Sequence, residues 1–222
     1  MNVIIYGHPR SRSNLVCSYI EGFPTEVFHL SRVNANAEIE WDKNFDPRQN
    51  VQSGIAEKYL SKIQKNPPSV FKLFGCHLEM WPECFDYIKG LDYKVLRIYR
   101  RDKLDAILSF LVARKRGWTS FSQNEIFPFR VDEMDFSIAF KMIVTDDLKW
   151  EKKFNFHAEI EYNDVQKAIE SGDLREFGVG RQQMRPLRNQ NSIEAARILI
   201  LNKKEVEEWY DKACSGKFLI GP

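Results

Sequence analysis

NVIIYGHPRSRSNL, residues 2–15, reads as a buried strand running into an anion-binding loop and then a helix. Val3, Ile4, Ile5 and Tyr6 form a short apolar, β-branched run without a 3.6-residue period, as expected for a strand covered on both faces. Gly7 and Pro9 end it. Arg10, Ser11, Arg12, Ser13 and Asn14 then supply two cations and three small polar side chains just before an apolar helical run opens at Leu15. A helix start leaves its first N–H groups unpaired and carries about half a positive charge, so a phosphate or sulfate fits there, held by backbone donors, Arg10 and the hydroxyls. Taken alone, the stretch also suits a helix capped by Ser13 with two solvated arginines. The nucleotide-triphosphate loop GxxxxGK[ST] does not fit, because Arg12 and Ser13 stand at its second glycine and its lysine.

Outward from the loop, a first helix is expected over residues 14–22, stopped by Gly22 and Pro24, and a strand over Val27–Leu30. Residues 31–50 read as a polar surface excursion and 51–65 as a helix ended by Asn66-Pro67-Pro68. Further strands are expected at Ser69–Gly75, Tyr93–Tyr99 and Ala158–Tyr162. Helices are expected over 79–89, 102–116, 133–153, 164–170 and from about Ser192 to Ala213. Residues 118–131 form a second aromatic-rich loop. Strands alternating with helices predict an α/β fold, a central parallel sheet flanked by helices, with ligands at the carboxyl ends of the strands.

The chain has 222 residues, which suits one domain over 1–222 burying roughly 70% of its unfolded surface. Lys and Arg number 33 against 31 Asp and Glu, a net charge of +2, which argues against a nucleic-acid partner and leaves any cationic site local. Cys17, Cys76, Cys84 and Cys214 are scattered, with no CxxC pair; reduced thiols and no metal site are expected. No stretch approaches 18 apolar residues and no leader pattern opens the chain, so a soluble cytoplasmic protein without a membrane span is the expectation.

A second signal is IYRRDKLDAILS, residues 98–109. An arginine leaving the carboxyl end of a strand, with a serine eight or nine residues on in the next helix, brings a guanidinium and a hydroxyl towards one anion. The serine is Ser109; the arginine is Arg101 at a spacing of eight or Arg100 at nine.

Pro9, Arg10, Ser11, Ser13, Asn14 and Leu15 resemble, in order, the loop P-[KR]-S-G-[ST]-[ST]-[LW] of the sulfotransferases, with Arg12 at the glycine. That loop grips the 5′-phosphosulfate end of the donor 3′-phosphoadenosine-5′-phosphosulfate (PAPS), and the arginine–serine pair resembles the family's 3′-phosphate site. The cytosolic branch would use Arg101. The bacterial and phage, trehalose-type branch, R-x-D-…-A-x-S, would use Arg100, and Asp102 falls on its aspartate, favouring Arg100. The resemblance runs from residue 3 to about 210 and implies a P-loop-like, three-layer fold.

It implies a catalytic base in one of two places: Glu26, in GFPTEVF, similar to G-x-P-x-E-[FY]-F, or His77, after the strand carrying Lys72 in VFKLFGCHL, similar to the K-T-H stretch. Arg10, assisted by Lys72, would stabilise the leaving side. Tyr162, in HAEIEYNDV, would contact adenine, and Arg188, in PLRNQNS, would close over the 3′-phosphate. The expected activity is in-line transfer of a sulfuryl group from PAPS, leaving 3′-phosphoadenosine-5′-phosphate (PAP), to a hydroxyl of a carbohydrate or other small-molecule acceptor, without a metal. The alternatives are a small-molecule or nucleotide kinase, which would need a loop lysine and a magnesium-binding acid, and a non-catalytic nucleotide-binding protein.

Overall fold

The computed structural model describes residues 2–21, 70–80, 82–115, 128–177 and 198–217. Glu26, Arg188, the strand expected at 27–30, the helix at 51–65, the excursion at 31–50 and the basic loop at 181–190 lie outside them.

Four strands form one wholly parallel sheet: β1 (Val3–Gly7), β2 (Val70–Phe74), β3 (Lys94–Tyr99) and β4 (Ala158–Glu161). Their order is β2-β1-β3-β4. β1 pairs Val3 with Val70 on one side and with Lys94 on the other. The strand order reverses between β1 and β3, and in open parallel sheets the crevice beyond that point receives ligands. The expected α/β class with a central parallel sheet is therefore found.

Alternation along the strands divides the core. Val3, Ile5, Val70, Leu96 and Ile98 face α1 (Ser13–Glu21), through Leu15, Val16 and Cys17, and a later helix through Val165, Ala168 and Ile169. Ile4, Tyr6, Phe71, Leu73 and Val95 face the opposite way, against Leu78, Phe85, Ile88 and Trp150. Burying each such side chain contributes about 1.5–3 kcal/mol.

Beyond β2 the chain turns directly into α2 (Gly75–Met80), followed by α3 (Glu83–Lys89). The single helix expected over 79–89 is thus two, with Pro82, which disfavours helix at the preceding residue, standing between them. α4 (Lys103–Lys115) follows β3 after three residues and is opened by Asp102, whose Oδ1 accepts the Asp105 N–H at 2.9 Å.

The helix expected over 133–153 is continuous in direction but mixed in winding. α5 (Glu133–Phe140) passes through a π-helical turn, Lys141–Thr145, into α6 (Asp146–Glu151). After β4 come α7 (Val165–Ser171) and a 3-10 turn, Arg175–Phe177. Of the last expected helix, residues 192–197 lie outside the described residues, Ile198 and Leu199 are helical, and after a break at 200–202 the chain continues as α8 (Lys203–Cys214). Buried Asn202 explains this: its amide exchanges two 2.9 Å bonds with the backbone of Val131, and Ile200 bridges to Phe129. A tertiary clip holds the backbone there out of the helix.

Gly7 is where backbone approach admits no side chain. A Cβ there would lie 2.6 Å from the Ile98 carbonyl oxygen and 2.8 Å from Ser11 Oγ. Gly7→Ala should therefore lower stability by about 2–3 kcal/mol, because neither neighbour can withdraw without opening β3 or the loop. Urea unfolding of both proteins checks it; equal midpoints would contradict this packing.

Among the described residues, no helix is long and apolar enough to cross a membrane.

Candidate functional site

The loop between β1 and α1 is shaped by two left-handed residues. The Ser11 N–H donates to the His8 carbonyl at 3.2 Å, closing a turn with Pro9 second and Arg10 third. Arg10 has φ 71°, the positive value that the third position of a type II turn demands. Arg12 has φ 65°, and its carbonyl accepts the Leu15 N–H at 2.9 Å, making it the residue from which α1 starts. Positive, negative and positive φ at Arg10, Ser11 and Arg12 curve the backbone into a concavity lined by N–H groups, the form of an anion nest. Each left-handed residue costs a non-glycine side chain about 1 kcal/mol, and such strain concentrates at functional sites. Arg12 thus keeps the backbone shape that glycine would take freely.

Within this loop Ser11 is fully buried, and its Oγ has no hydrogen-bond partner among the described residues. Ser13, also buried, opens α1, and Asn14 follows it. The two sequence motifs meet: Arg10 Nε donates to Ser109 Oγ at 3.0 Å across 99 residues of chain. Ser109 lies on α4, whose inner face is locked by buried Ala106, Ile107, Leu108 and Phe110. The serine hydroxyl therefore sits on a rigid element.

Arg100 and Arg101 differ in kind. Arg101 is exposed, whereas Arg100 is only 3% exposed at the end of β3. Arg100 Nη2 lies 3.5 Å from Asp105 Oδ2, pairs charge with it, and makes no hydrogen bond to any described residue. The guanidinium also lies 4.4 Å from the centre of the Tyr162 ring. Arg12 approaches the same ring to 4.2 Å and donates from Nη1 to the Tyr162 carbonyl at 3.2 Å. Tyr162, expected to meet adenine, is thus a post for two guanidinium groups, joining the loop to the ends of β3 and β4. Beside it opens a cleft of about 310 Å³ lined by Arg100, Arg101, Asp102, Asp105, Glu161, Asn163 and Asp164.

Lys72 is fully buried in β2, opposite Ile5 in register. Burial holds its ammonium down to about 7, with nearby Cys17 opposing. His77 is buried in the first turn of α2. Its Nδ1 accepts the Phe74 N–H at 3.3 Å and its ring lies against Phe74. The lone pair of the neutral ring is therefore engaged by the backbone, so service as a base requires giving up that bond.

Sequence reasoning passed over three groups. His8, directly after Gly7, is fully buried; its Nδ1–H donates to the Pro9 carbonyl at 2.8 Å, which leaves Nε2 as an acceptor without a partner among the described residues. Burial, then the Lys103 ammonium, hold His8 down to about 4, so the ring is neutral at physiological pH. Lys103 Nζ donates to Asp147 Oδ2 at 2.8 Å, and the Tyr6 hydroxyl donates to the Asp147 carbonyl at 3.1 Å. The third is Asp105. A histidine within the loop was visible as a signal; the partners of Asp105 and Asp147 depend on the fold.

Among the described residues, no group of three or more His, Cys, Asp or Glu side chains is arranged to hold a metal ion. No family model matches the chain, and no curated protein matches it.

Proposed function

We propose that this chain is a PAPS-dependent sulfotransferase with a P-loop-like fold, transferring a sulfuryl group to a hydroxyl of a carbohydrate or other small metabolite. The observation that carries it is the 3.0 Å bond from Arg10 to Ser109, which unites the β1–α1 loop with the arginine–serine motif at the head of α4. That contact supports reading the two sequence motifs as parts of one anion site.

The residues fit the donor. The nest at Arg10–Arg12, the unpartnered hydroxyl of Ser11 and the unsatisfied Nη2 of Arg100 are all hydrogen donors gathered at one end of the sheet. Ser109 takes the Arg10 bond through a lone pair and keeps its own hydrogen for an anion. Arg100 is the better 3′-phosphate ligand of the arginine pair, since a buried guanidinium binds an oxyanion with less competition from water than exposed Arg101.

The donor supplies a sulfuryl group whose leaving partner is a phosphate oxygen. Charge grows on that oxygen during transfer, and the Arg10 guanidinium, held by Ser109, would balance it. Lys72, with its depressed proton affinity, is the second cation assigned to the leaving side. The acceptor hydroxyl must lose its proton; Glu26 and His77 are the candidates. The non-catalytic reading draws support from one observation, the engagement of the His77 lone pair by the Phe74 N–H.

Calorimetric titration with PAP, AMP and ATP tests the reading. The expected result is tight PAP binding, AMP at least tenfold weaker, and loss of about tenfold in PAP affinity on Ser109→Ala. Folded protein that ignores PAP, or prefers ATP, would sink it. PAP binding without turnover of PAPS on any of a broad panel of acceptors would leave the non-catalytic reading.

A further inference from the structure

We infer that Asp105 sets the affinity threshold of the anion site: it serves as the resident counter-ion of Arg100 and yields that place to an incoming anionic oxygen. The inference rests on Arg100 being a phosphate ligand, as proposed above.

A guanidinium buried as deeply as Arg100 is costly without a compensating charge. Asp105, itself buried, supplies the charge from the first turn of α4. It does not supply the hydrogen bond: the 3.5 Å approach leaves Nη2 unsatisfied, on the wall of a cleft that both residues line. Two other carboxylates there hold backbone N–H groups of their own. Asp102 Oδ1 caps α4, and Glu161 Oε2 accepts the Asn163 N–H at 2.7 Å.

A phosphate oxygen entering the cleft would provide both the charge and the missing bond. It would also arrive within a few ångströms of Asp105, and two negative charges so close in a half-buried cleft repel strongly. Binding therefore has to overcome the resident carboxylate. Asp105 keeps the site charge-balanced when empty and weakens its hold on weakly bound anions. A ligand with further contacts in the β1–α1 loop can displace it; a free small anion does so poorly.

Asp105→Asn keeps the shape and removes the charge. Wild type and variant are titrated with PAP and with inorganic phosphate, and their melting is followed with and without each. The expected result is affinity at least tenfold higher in the variant for both probes. Its unliganded melting temperature should fall, because Arg100 has lost its counter-charge, and phosphate should raise that temperature more than in wild type. A variant that folds only with PAP or phosphate present also supports the inference, since the anion then does the carboxylate's work. Unchanged or weaker affinity would overturn it, as would a variant unfolded even at saturating PAP and phosphate; a purely structural carboxylate at a helix start gives those results. If wild type ignores PAP while Asp105→Asn gains phosphate affinity, the sulfotransferase reading falls and the counter-ion stands.

Discussion

Arg10→Ala is expected to lower PAPS turnover by about 10²–10³-fold, the usual effect of removing one preorganised donor from a site of developing negative charge. On the proposed reading, release of PAP from PAPS in water is the assay, which needs no identified acceptor. The size of the effect follows from preorganisation: Arg10 is fixed by its left-handed backbone and by its bond to Ser109, so it need not reorient as charge moves. Arg10→Lys keeps a positive charge but cannot reproduce the bond from Nε, so its turnover should lie between wild type and alanine. Ser109→Ala and Arg10→Ala should be less than additive in combination, because each removes the same contact. Equal turnover in wild type and Arg10→Ala would exclude Arg10 from the chemistry.

Lys72→Met should stabilise the protein below pH 7. In the folded chain the ammonium is held down to about 7, against 10.5 ordinarily. Between those values the unfolded chain binds the proton and the folded chain does not, so wild-type stability rises with pH across the window. Below about 7 both states are protonated, and the burden of burying the charge is present in full. At 1.36 kcal/mol per unit, that burden is at most about 5 kcal/mol. Methionine is close in shape and carries no charge. Denaturant unfolding at pH 6 should therefore favour the variant by several kcal/mol, and the gain should shrink towards pH 10. A gain independent of pH would show that the charge is not the cause. If Lys72 also assists the leaving group, the stabilised variant will turn over PAPS more slowly, the usual exchange between stability and function.

The sequence carried the scaffold because its signals are local. β1, β2 and β3 are apolar runs too short and β-branched for helix, and each lies within a residue or two of its expected bounds. The order of the loop and the arginine–serine motif was equally readable. What escaped was set by distant neighbours. A helical pattern is interrupted ahead of α8 because Val131 clips Asn202. Tyr162 offered an aromatic face, but only the fold brings Arg12 and Arg100 against it. Arg12 gives no sign in the sequence of its φ of 65°, a value glycine takes freely, nor of the Tyr162 carbonyl that its side chain reaches. The burial that separates Arg100 from Arg101 has no counterpart in their spacing from Ser109.

The central place of β1 also governs when the site can exist during synthesis. Its two neighbours are β2 and β3, so Val3 waits for Val70 and then for Lys94, and Arg10 waits for Ser109. A nascent chain released from the ribosome before α4 has emerged therefore carries a loop with no partner and an apolar strand with an open edge. Folding is committed late, by long-range pairing rather than by local structure. Truncated or stalled products ending before about residue 110 are then targets for chaperones rather than partly folded domains with a usable site.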